Sequence, residues 1–276
     1  MGAGERRKIA EGKTKIIWTG TGPGDVLVES KDDITAGDGL RRDTIPGKAA
    51  LSTATTTECF RLLSKAGIPH HFLLRCGPTT FHARSCAMIP FELVARRLAT
   101  GSYLKRNPAV PEGHVFSEPE IEFYLKDDRN HDPLVQPSAD GSAWLLYDAK
   151  RPLDAGPVST MPFHAVTFGL WQIDHIFVQR LQALLTASFL ALEKAWAQQR
   201  VTLCDLKIEC GVALDGSYDL LVADVIDNDN WRIWPEGDKS RMRDKQVYRD
   251  TPQLTPEALA AIRDNYAWVA VATKKF

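Results

Sequence analysis

A chain of 276 residues, 44% hydrophobic and 25% charged with a formal net charge of -1, can bury a sizeable core, as one large domain or two lobes. It carries no basic excess that would draw it onto nucleic acid or an anionic membrane, so small molecules or other subunits are the expected partners. No apolar run approaches the ~20 residues that span a bilayer, and Met1 to Lys8 lacks the apolar stretch of a secretory signal, so a cytoplasmic location is expected.

In chain order, apolar and β-branched residues on both sides of Gly12 predict a strand over Lys8 to Trp18. After the Gly20 to Gly24 turn, Val26 to Lys31 predicts a second strand, opening an antiparallel sheet. Lys48 to Ala66 reads as a helix ended by Gly67, with Pro69 beyond. His71 to Arg75 and Thr80 to Cys86 read as strands around the Cys76-Gly77-Pro78 turn, and Met88-Ile89-Pro90 as the crossover into a second lobe. Gly101 to Pro162 is rich in Pro, Gly and Asp, implying long loops. From about Pro162 to Gln199, Val166, Leu170, Ile173, Phe177, Leu181, Leu184, Phe189, Leu192 and Trp196 recur mostly every three or four residues, predicting one long helix that carries His164 and His175. A terminal helix is expected from Thr255 as N-cap, with Pro256 at its first position.

Between those helices, Val201 to Asp227 predicts a β-hairpin turning at Asp215-Gly216-Ser217. Strand alternation sends Asp205, Lys207 and Glu209 one way and Cys204, Leu206, Ile208 and Cys210 the other, so one face reads as core and the other as a site. Leu220, Val222, Asp224 and Ile226 share a face of the returning strand, which lets Asp224 come opposite Glu209. Two converging carboxylates suit Mg²⁺, which takes hard oxygen ligands and keeps positions for water and phosphate. The pattern equally fits the solvated face of a hairpin. Arg232, near Trp231 and Trp234, is either an anion clamp or half of a cation–π pair. Lys13 and Lys15 beside Gly12 can straddle a polyphosphate or simply be solvated, and both standard nucleotide-binding loops are absent. Arg96 to Arg106 sets four cations around a Thr-Gly-Ser turn, suited to a sugar phosphate or to a solvated basic patch. The acidic loop Lys31 to Gly39 and the charged loop Lys126 to Pro133 each read as a lid or a plain connection. Cys59, Cys76, Cys86, Cys204 and Cys210, odd in number and without a C-x-x-C pair, fit reduced thiols, with Cys204 and Cys210 as packing residues.

Together these segments resemble the SAICAR synthetase family, the phosphoribosylaminoimidazole-succinocarboxamide synthases of purine biosynthesis. The likeness is carried by Gly12-Lys-Thr-Lys15, Lys31-Asp-Asp-Ile-Thr-Ala-Gly37, Arg96-Arg-Leu-Ala-Thr-Gly-Ser-Tyr-Leu-Lys-Arg-Asn-Pro108, Lys126-Asp-Asp128 with His131-Asp-Pro133, Cys204-Asp-Leu-Lys-Ile-Glu209, Ala223-Asp-Val-Ile-Asp-Asn-Asp229 with Trp231-Arg-Ile-Trp-Pro235, and Asp244-Lys-Gln246. The resemblance implies an ATP-dependent ligase that joins L-aspartate to the carboxylate of carboxyaminoimidazole ribotide (CAIR). It also implies a two-lobed α+β fold related to ATP-grasp enzymes, with residues 1–87 as an antiparallel lobe covering ATP and 88–276 carrying the metal and substrate sites. Carried over by position, Lys13 and Lys15 would hold ATP phosphates and Glu209 and Asp224 would hold Mg²⁺. Arg96, Ser102 and Arg232 would bind the ribotide, with Asp205 and Lys207 as catalytic residues beside it.

The animal type is the nearer likeness, from Lys105-Arg-Asn-Pro108, from Ile226-Asp-Asn-Asp-Asn-Trp231 and from the ending Thr255 to Phe276. There the synthetase is the N-terminal half of a chain that also carries an AIR carboxylase domain, so this chain is either a monofunctional relative or one half of such a protein, and a homo-oligomer is left open. Cys210, where the family pattern has an aromatic, and the run Thr53, Thr55, Thr56, Thr57 depart from it. A small-molecule kinase on the same scaffold would share Lys13, Lys15, Glu209 and Asp224 without needing Arg96, Ser102 or Arg232. A nucleotide-binding module would need no metal carboxylates.

Overall fold

Short β-branched runs broken by glycine turns build the N-terminal strands. The computed structural model describes residues 6–37 and 39–276, so residues 1–5 and Asp38, part of the expected leader-free start and of the acidic loop, lie outside the described residues, as does the side chain of Asp128. β1 (Lys8–Glu11), β2 (Lys15–Thr19) and β3 (Asp25–Ser30) pair in succession. The single strand expected over Lys8 to Trp18 is two strands, because the Gly12 N–H bonds the Lys15 carbonyl at 2.9 Å and turns the chain. β4 (Asp33–Ala36) and β5 (Arg41–Thr44) form a separate hairpin before α1 (Lys48–Lys65). β6 (Phe72–Arg75) and β7 (Thr80–Arg84) then complete a five-stranded antiparallel sheet in the order β1-β2-β3-β7-β6.

The chain passes through Ser85 into β8 (Cys86–Leu98), a strand of the second sheet. Pro90 therefore lies inside a strand instead of in a crossover. Glu209 faces Glu92 while Gly211 faces Met88, so Pro90 sits where the register shifts, a position at which a residue without an N–H is tolerated. After α2 (Ser102–Arg106) come β9 (Val115–Leu125), β10 (Leu134–Pro137), β11 (Ala143–Tyr147) and β12 (Ser159–Pro162), so the stretch expected as long loops is largely a meander. β13 (Thr167–Phe168) and β14 (Trp171–Gln172) form a small hairpin before α3 (His175–Ala197). β15 (Val201–Ala213), β16 (Leu220–Ala223), β17 (Trp231–Pro235), α4 (Gln246–Asp250) and α5 (Pro256–Ala272) finish the chain. The second sheet runs β12-β11-β10-β9-β8-β15-β16, and β17 pairs with the first half of β15.

The helix expected from Pro162 starts only at His175, where the Asp174 carboxylate accepts the Phe177 N–H at 2.7 Å. Upstream, Gly169 at φ 55° turns the β13–β14 hairpin, and Phe168 stacks on Trp171 across it at 5.5 Å. Leu170, assigned by spacing to the helical stripe, is 99% exposed at the hairpin tip. His164 lies in the preceding 3-10 turn, and His175 opens α3 with its ring stacked on Phe163 at 4.2 Å. By length and composition α3 could cross a membrane, yet Leu181, Leu185, Phe189, Leu192 and Trp196 are buried in the main core.

That core lies on one face of the second sheet. Phe91, Leu93 and Ala95 from β8, Phe123 and Leu125 from β9, and Leu206, Ile208 and Cys210 from β15 meet α3, with Cys59, Phe60 and Leu63 of α1 and Val269 of α5. α1 thus belongs to the core of the second sheet while its Thr53 hydroxyl also lies 2.9 Å from Ser30 of β3. Thr255 caps α5 by accepting the Ala258 N–H. Because Leu185 is fully buried, Leu185→Ala should destabilise the fold by about 2–5 kcal/mol. Leu170→Ser should stay within about 0.5 kcal/mol of the parent in the same urea titration. Equal losses would return Leu170 to the core.

Candidate active site

The opposite face of the second sheet carries charge because the alternation that puts Leu206, Ile208 and Cys210 in the core sends their neighbours the other way. In register, Asp205 stands between Arg96 of β8 and Arg232 of β17, Lys207 stands opposite Val94, and Glu209 stands between Glu92 of β8 and Ala223 of β16. Cys204 leaves the expected series. A register shift between Leu203 and Asp205 places it against Leu98 and Trp234 instead of in the main core.

Two clusters follow along this face. In the first, the Asp205 carboxylate accepts from Arg96 at 2.7 Å and from Arg232, while Glu122 of β9 accepts from Arg96 at 2.5 Å and from Arg106 of α2. Three arginines thus share two buried carboxylates. Burial opposes ionisation of Asp205, but Arg232 and Arg96 outweigh it and hold its pKa below the ordinary value. Committed to two guanidinium groups, Asp205 orients the arginines and is a poor proton acceptor. Ser102 opens α2, directly after Gly101 at φ 61° and ψ -133°. Gly101 at φ 61° is in a conformation that favours glycine, and a Cβ there would lie 2.6 Å from the Arg232 guanidinium and displace it. A cavity of about 220 Å³ opens beside them, lined by Thr100, Gly101, Arg232, Trp234, Gln246 and Asp250 among others.

In the second cluster Lys15 of β2 pairs with Asp224, Lys207 with Glu92 at 2.6 Å, and Lys126 with Glu209 at 2.6 Å. Burial works against the Lys15 ammonium, but Asp224 and Glu209 outweigh it and raise its pKa. Lys207 is raised in the same way, burial being outweighed by Glu92 and Glu209. Asp224 is half-buried, and Lys15 outweighs the desolvation and holds its pKa below the ordinary carboxylate value. Its position differs from expectation, since Ala223 and not Asp224 is opposite Glu209. β16 ends there, and Asp224 takes φ 65°, which turns the chain out of the strand. Lys13 is not on a strand. It lies exposed in the turn before β2, where a Cβ on Gly39 would meet its Cε at 3.6 Å.

Among the described residues no group of three or more metal-type side chains is gathered around one point. Glu209 and Asp224 each hold a lysine instead. The donor set nonetheless fits Mg²⁺, since it consists of hard carboxylate oxygens whose present partners are exchangeable cations. Glu92, Lys126, Glu122 and Arg106 complete the two clusters. Glu92 and Glu122 carried a signal, being charged residues two positions from Val94 and Tyr124 in alternating strands. Arg106 and Lys126 stood within segments already noted for their charge.

Residues 8–148 and 159–262 match the family model for SAICAR synthetase. The chain belongs to the SAICAR synthetase family. It is 46% identical over 265 residues to the multifunctional protein ADE2 of Gallus gallus, an alignment that covers 96% of this chain and 57% of that protein. It is also 46% identical over 274 residues to the phosphoribosylaminoimidazole-succinocarboxamide synthase of Roseiflexus sp. (strain RS-1), covering 99% of this chain and 98% of that one. The chain therefore spans little more than half of the animal relative and nearly all of the bacterial one. The crystal structure of the synthase from Ehrlichia chaffeensis superposes with a TM-score of 0.77 at 26% identity, covering 98% of this chain and 99% of that one. A type-2 SAICAR synthetase in complex with ADP gives 0.73 at 27%, covering 96% and 98%. Within this family fold, the mixed α+β content expected from the resemblance is present.

If Arg232 binds the ribotide as the resemblance implies, Gly101→Ala should push its guanidinium aside and weaken CAIR binding by about tenfold or more, a loss of the size expected for a charged bidentate donor, with ATP binding little changed in titration calorimetry. Unchanged CAIR affinity would remove Arg232 from that role.

His71, which precedes β6, is 5% exposed, and burial lowers its pKa to about 4 despite its hydrogen bond to Asp224. Between pH 6.5 and 4 the unfolded chain takes up a proton at this residue while the folded chain does not, so stability falls on acidification through that window. His71→Gln should flatten the pH dependence of urea stability there by on the order of 3 kcal/mol relative to the parent. Parallel curves would mean that His71 is accessible to protons in the folded state.

Proposed function

We propose that the chain is an ATP-dependent carbon–nitrogen ligase that condenses CAIR with L-aspartate to SAICAR, releasing ADP and phosphate. The observation that carries this reading is the pairing of an arginine cluster with a lysine–carboxylate cluster on one sheet face, both built from residues of the family motifs. The Roseiflexus relative, similar over its full length, is named for this reaction, and the type-2 structure holds ADP. Purine biosynthesis is the setting that the reaction implies.

Arg96 and Arg232 offer guanidinium N–H groups to the ribotide anion, and Asp205 and Glu122 hold them in place so that little side-chain entropy is lost on binding. Ser102 adds a hydroxyl at the start of α2. Lys15 and Lys207, kept charged by their carboxylate partners, neutralise phosphate oxygens, and Lys13 in the exposed turn adds a third ammonium. An amine does not displace a carboxylate oxygen directly. The CAIR carboxylate oxygen therefore attacks the γ-phosphorus with departure of ADP, and the aspartate amine then attacks the acyl carbon, losing a proton as phosphate leaves. No protein nucleophile is needed. Glu209 and Asp224 would hold Mg²⁺, which supplies charge neutralisation for the transferring phosphoryl group.

The two sheets are read as lobes related to ATP-grasp enzymes, residues 1–87 covering ATP and 88–276 carrying the metal and substrate sites. Lys105-Arg-Asn-Pro108 and Ile226 to Trp231 support an animal-type grouping, in which the chain is either a monofunctional relative or the synthetase half of a protein that also carries an AIR carboxylase domain. A cytoplasmic location is part of the same reading.

With Mg-ATP, CAIR and L-aspartate, ADP release should require all three, and the product mass should be that of the succinocarboxamide. ADP release without aspartate would replace the ligase with a kinase. Asp224→Asn and Glu209→Gln should keep the parent's thermal midpoint within a few degrees and lose several orders of magnitude in turnover; normal turnover in either removes that residue from the site.

A further inference from the structure

We propose that His71 is a positioning residue that locks Asp224 in its left-handed backbone conformation and so aims the Asp224 carboxylate into the phosphate and Mg²⁺ site, a role that rests on the reading of Asp224 given above. His71 Nε2 lies 2.8 Å from the Asp224 carbonyl oxygen. A carbonyl only accepts, so Nε2 carries the proton and the imidazole donates. The ring has little freedom. It stands edge-on to Phe60 at 5.4 Å and to Phe81 at 5.9 Å. The His71 backbone N–H bonds the Val222 carbonyl at 2.9 Å, and its own carbonyl accepts the Arg84 N–H at 2.7 Å. The residue is thereby stitched between β7 of the first sheet and β16 of the second.

Asp224 needs such support. At φ 65° Asp224 sits in the left-handed region, which Asp tolerates better than most residues with a Cβ but which its surroundings still have to fix. Ala223 before it is fully buried, and Val225 after it packs on the Val28, Phe81 and Ala83 cluster of the first sheet, so the chain changes layers at this residue. Lys15 holds the side chain and His71 holds the main chain, both from the first-sheet side. Removing the Nε2–H leaves the Asp224 carbonyl without this donor and frees the peptide to relax toward an extended conformation, which carries the carboxylate away from Lys15. Glutamine reaches as far and also donates an N–H, whereas leucine fills the volume without a donor.

The test compares the full chain with its His71→Gln, His71→Leu and Asp224→Asn variants. Mn²⁺ binding in the presence of ADP is read by electron paramagnetic resonance, and kcat and KM for CAIR and aspartate are measured with urea midpoints alongside. His71→Leu should weaken Mn²⁺ binding and lower kcat by about 10- to 100-fold, the range seen when a group orienting a metal ligand is lost, with both KM values within about twofold. His71→Gln should recover most of that loss. Equal losses in the two variants would make His71 a packing residue and overturn the proposal, as would unchanged Mn²⁺ affinity in His71→Leu while Asp224→Asn binds weakly. If Asp224→Asn itself leaves Mn²⁺ affinity unchanged, the reading of Asp224 fails and the proposal goes with it. Should His71→Leu not fold, the ¹⁵N imidazole resonances of the parent decide. The Nε2–H tautomer is expected, and an Nδ1–H tautomer would refute the donated bond.

Discussion

Ionised side chains buried on a sheet face must be paired or they unfold it, because taking a charge out of water costs several kcal/mol. The second sheet meets that requirement by setting buried Asp205 and Glu122 against Arg96 and Arg106, and extends it with the more exposed pairs Lys207–Glu92 and Lys126–Glu209. The interactions that keep the sheet folded are the ones that hold the arginines and lysines in fixed directions. A ligand anion or cation then exchanges for a partner already in place, and little side-chain freedom remains to be lost on binding. This is why the site lies on strands, with the most strongly apolar face of the molecule directly behind it.

The two clusters differ in balance. Three arginines over two buried carboxylates leave positive charge for an anion such as a ribose phosphate or carboxylate. Three lysines facing three carboxylates can exchange a lysine for a metal ion and turn the freed ammonium toward phosphate oxygens. Asp224 and Val225 join this second cluster to the first sheet, and Thr56 of α1 donates to the Ile226 carbonyl at 3.2 Å just beyond. The first sheet, α1 and the turn after β16 therefore bear on one residue of the site.

Much of this was legible from residue order. The charged alternation of Asp205, Lys207 and Glu209 against apolar neighbours marks a sheet with one dry and one wet face, and the α1, β6–β7 and β15–β16 elements fall where turn and cap residues place them. Three of the features that were not legible show why. Leu170 imitates a helical stripe because a short aromatic hairpin with apolar residues two to four apart overlaps the helical period. Cys204 leaves its alternation because a register shift cannot be seen until the partner strand is in place. Asp224 fails to face Glu209 because β16 ends one residue early, in a backbone conformation that no local pattern announces.

The sequence by itself determined the segment boundaries that glycine and capping residues set and the charged alternation around Asp205, Lys207 and Glu209, which depend on side-chain periodicity within a few residues. Its motifs, through their resemblance to a family, implied the α+β class and the candidate residues Lys13, Lys15, Arg96, Ser102, Asp205, Lys207, Glu209, Asp224 and Arg232. Only the tertiary structure decided which charges pair, that Asp205 holds arginines, that Lys13 lies in an exposed turn while Lys15 is on β2, and that His71 meets the Asp224 carbonyl. These contacts join residues far apart in the chain, and their partners are chosen by strand register and layer packing, which no local pattern encodes.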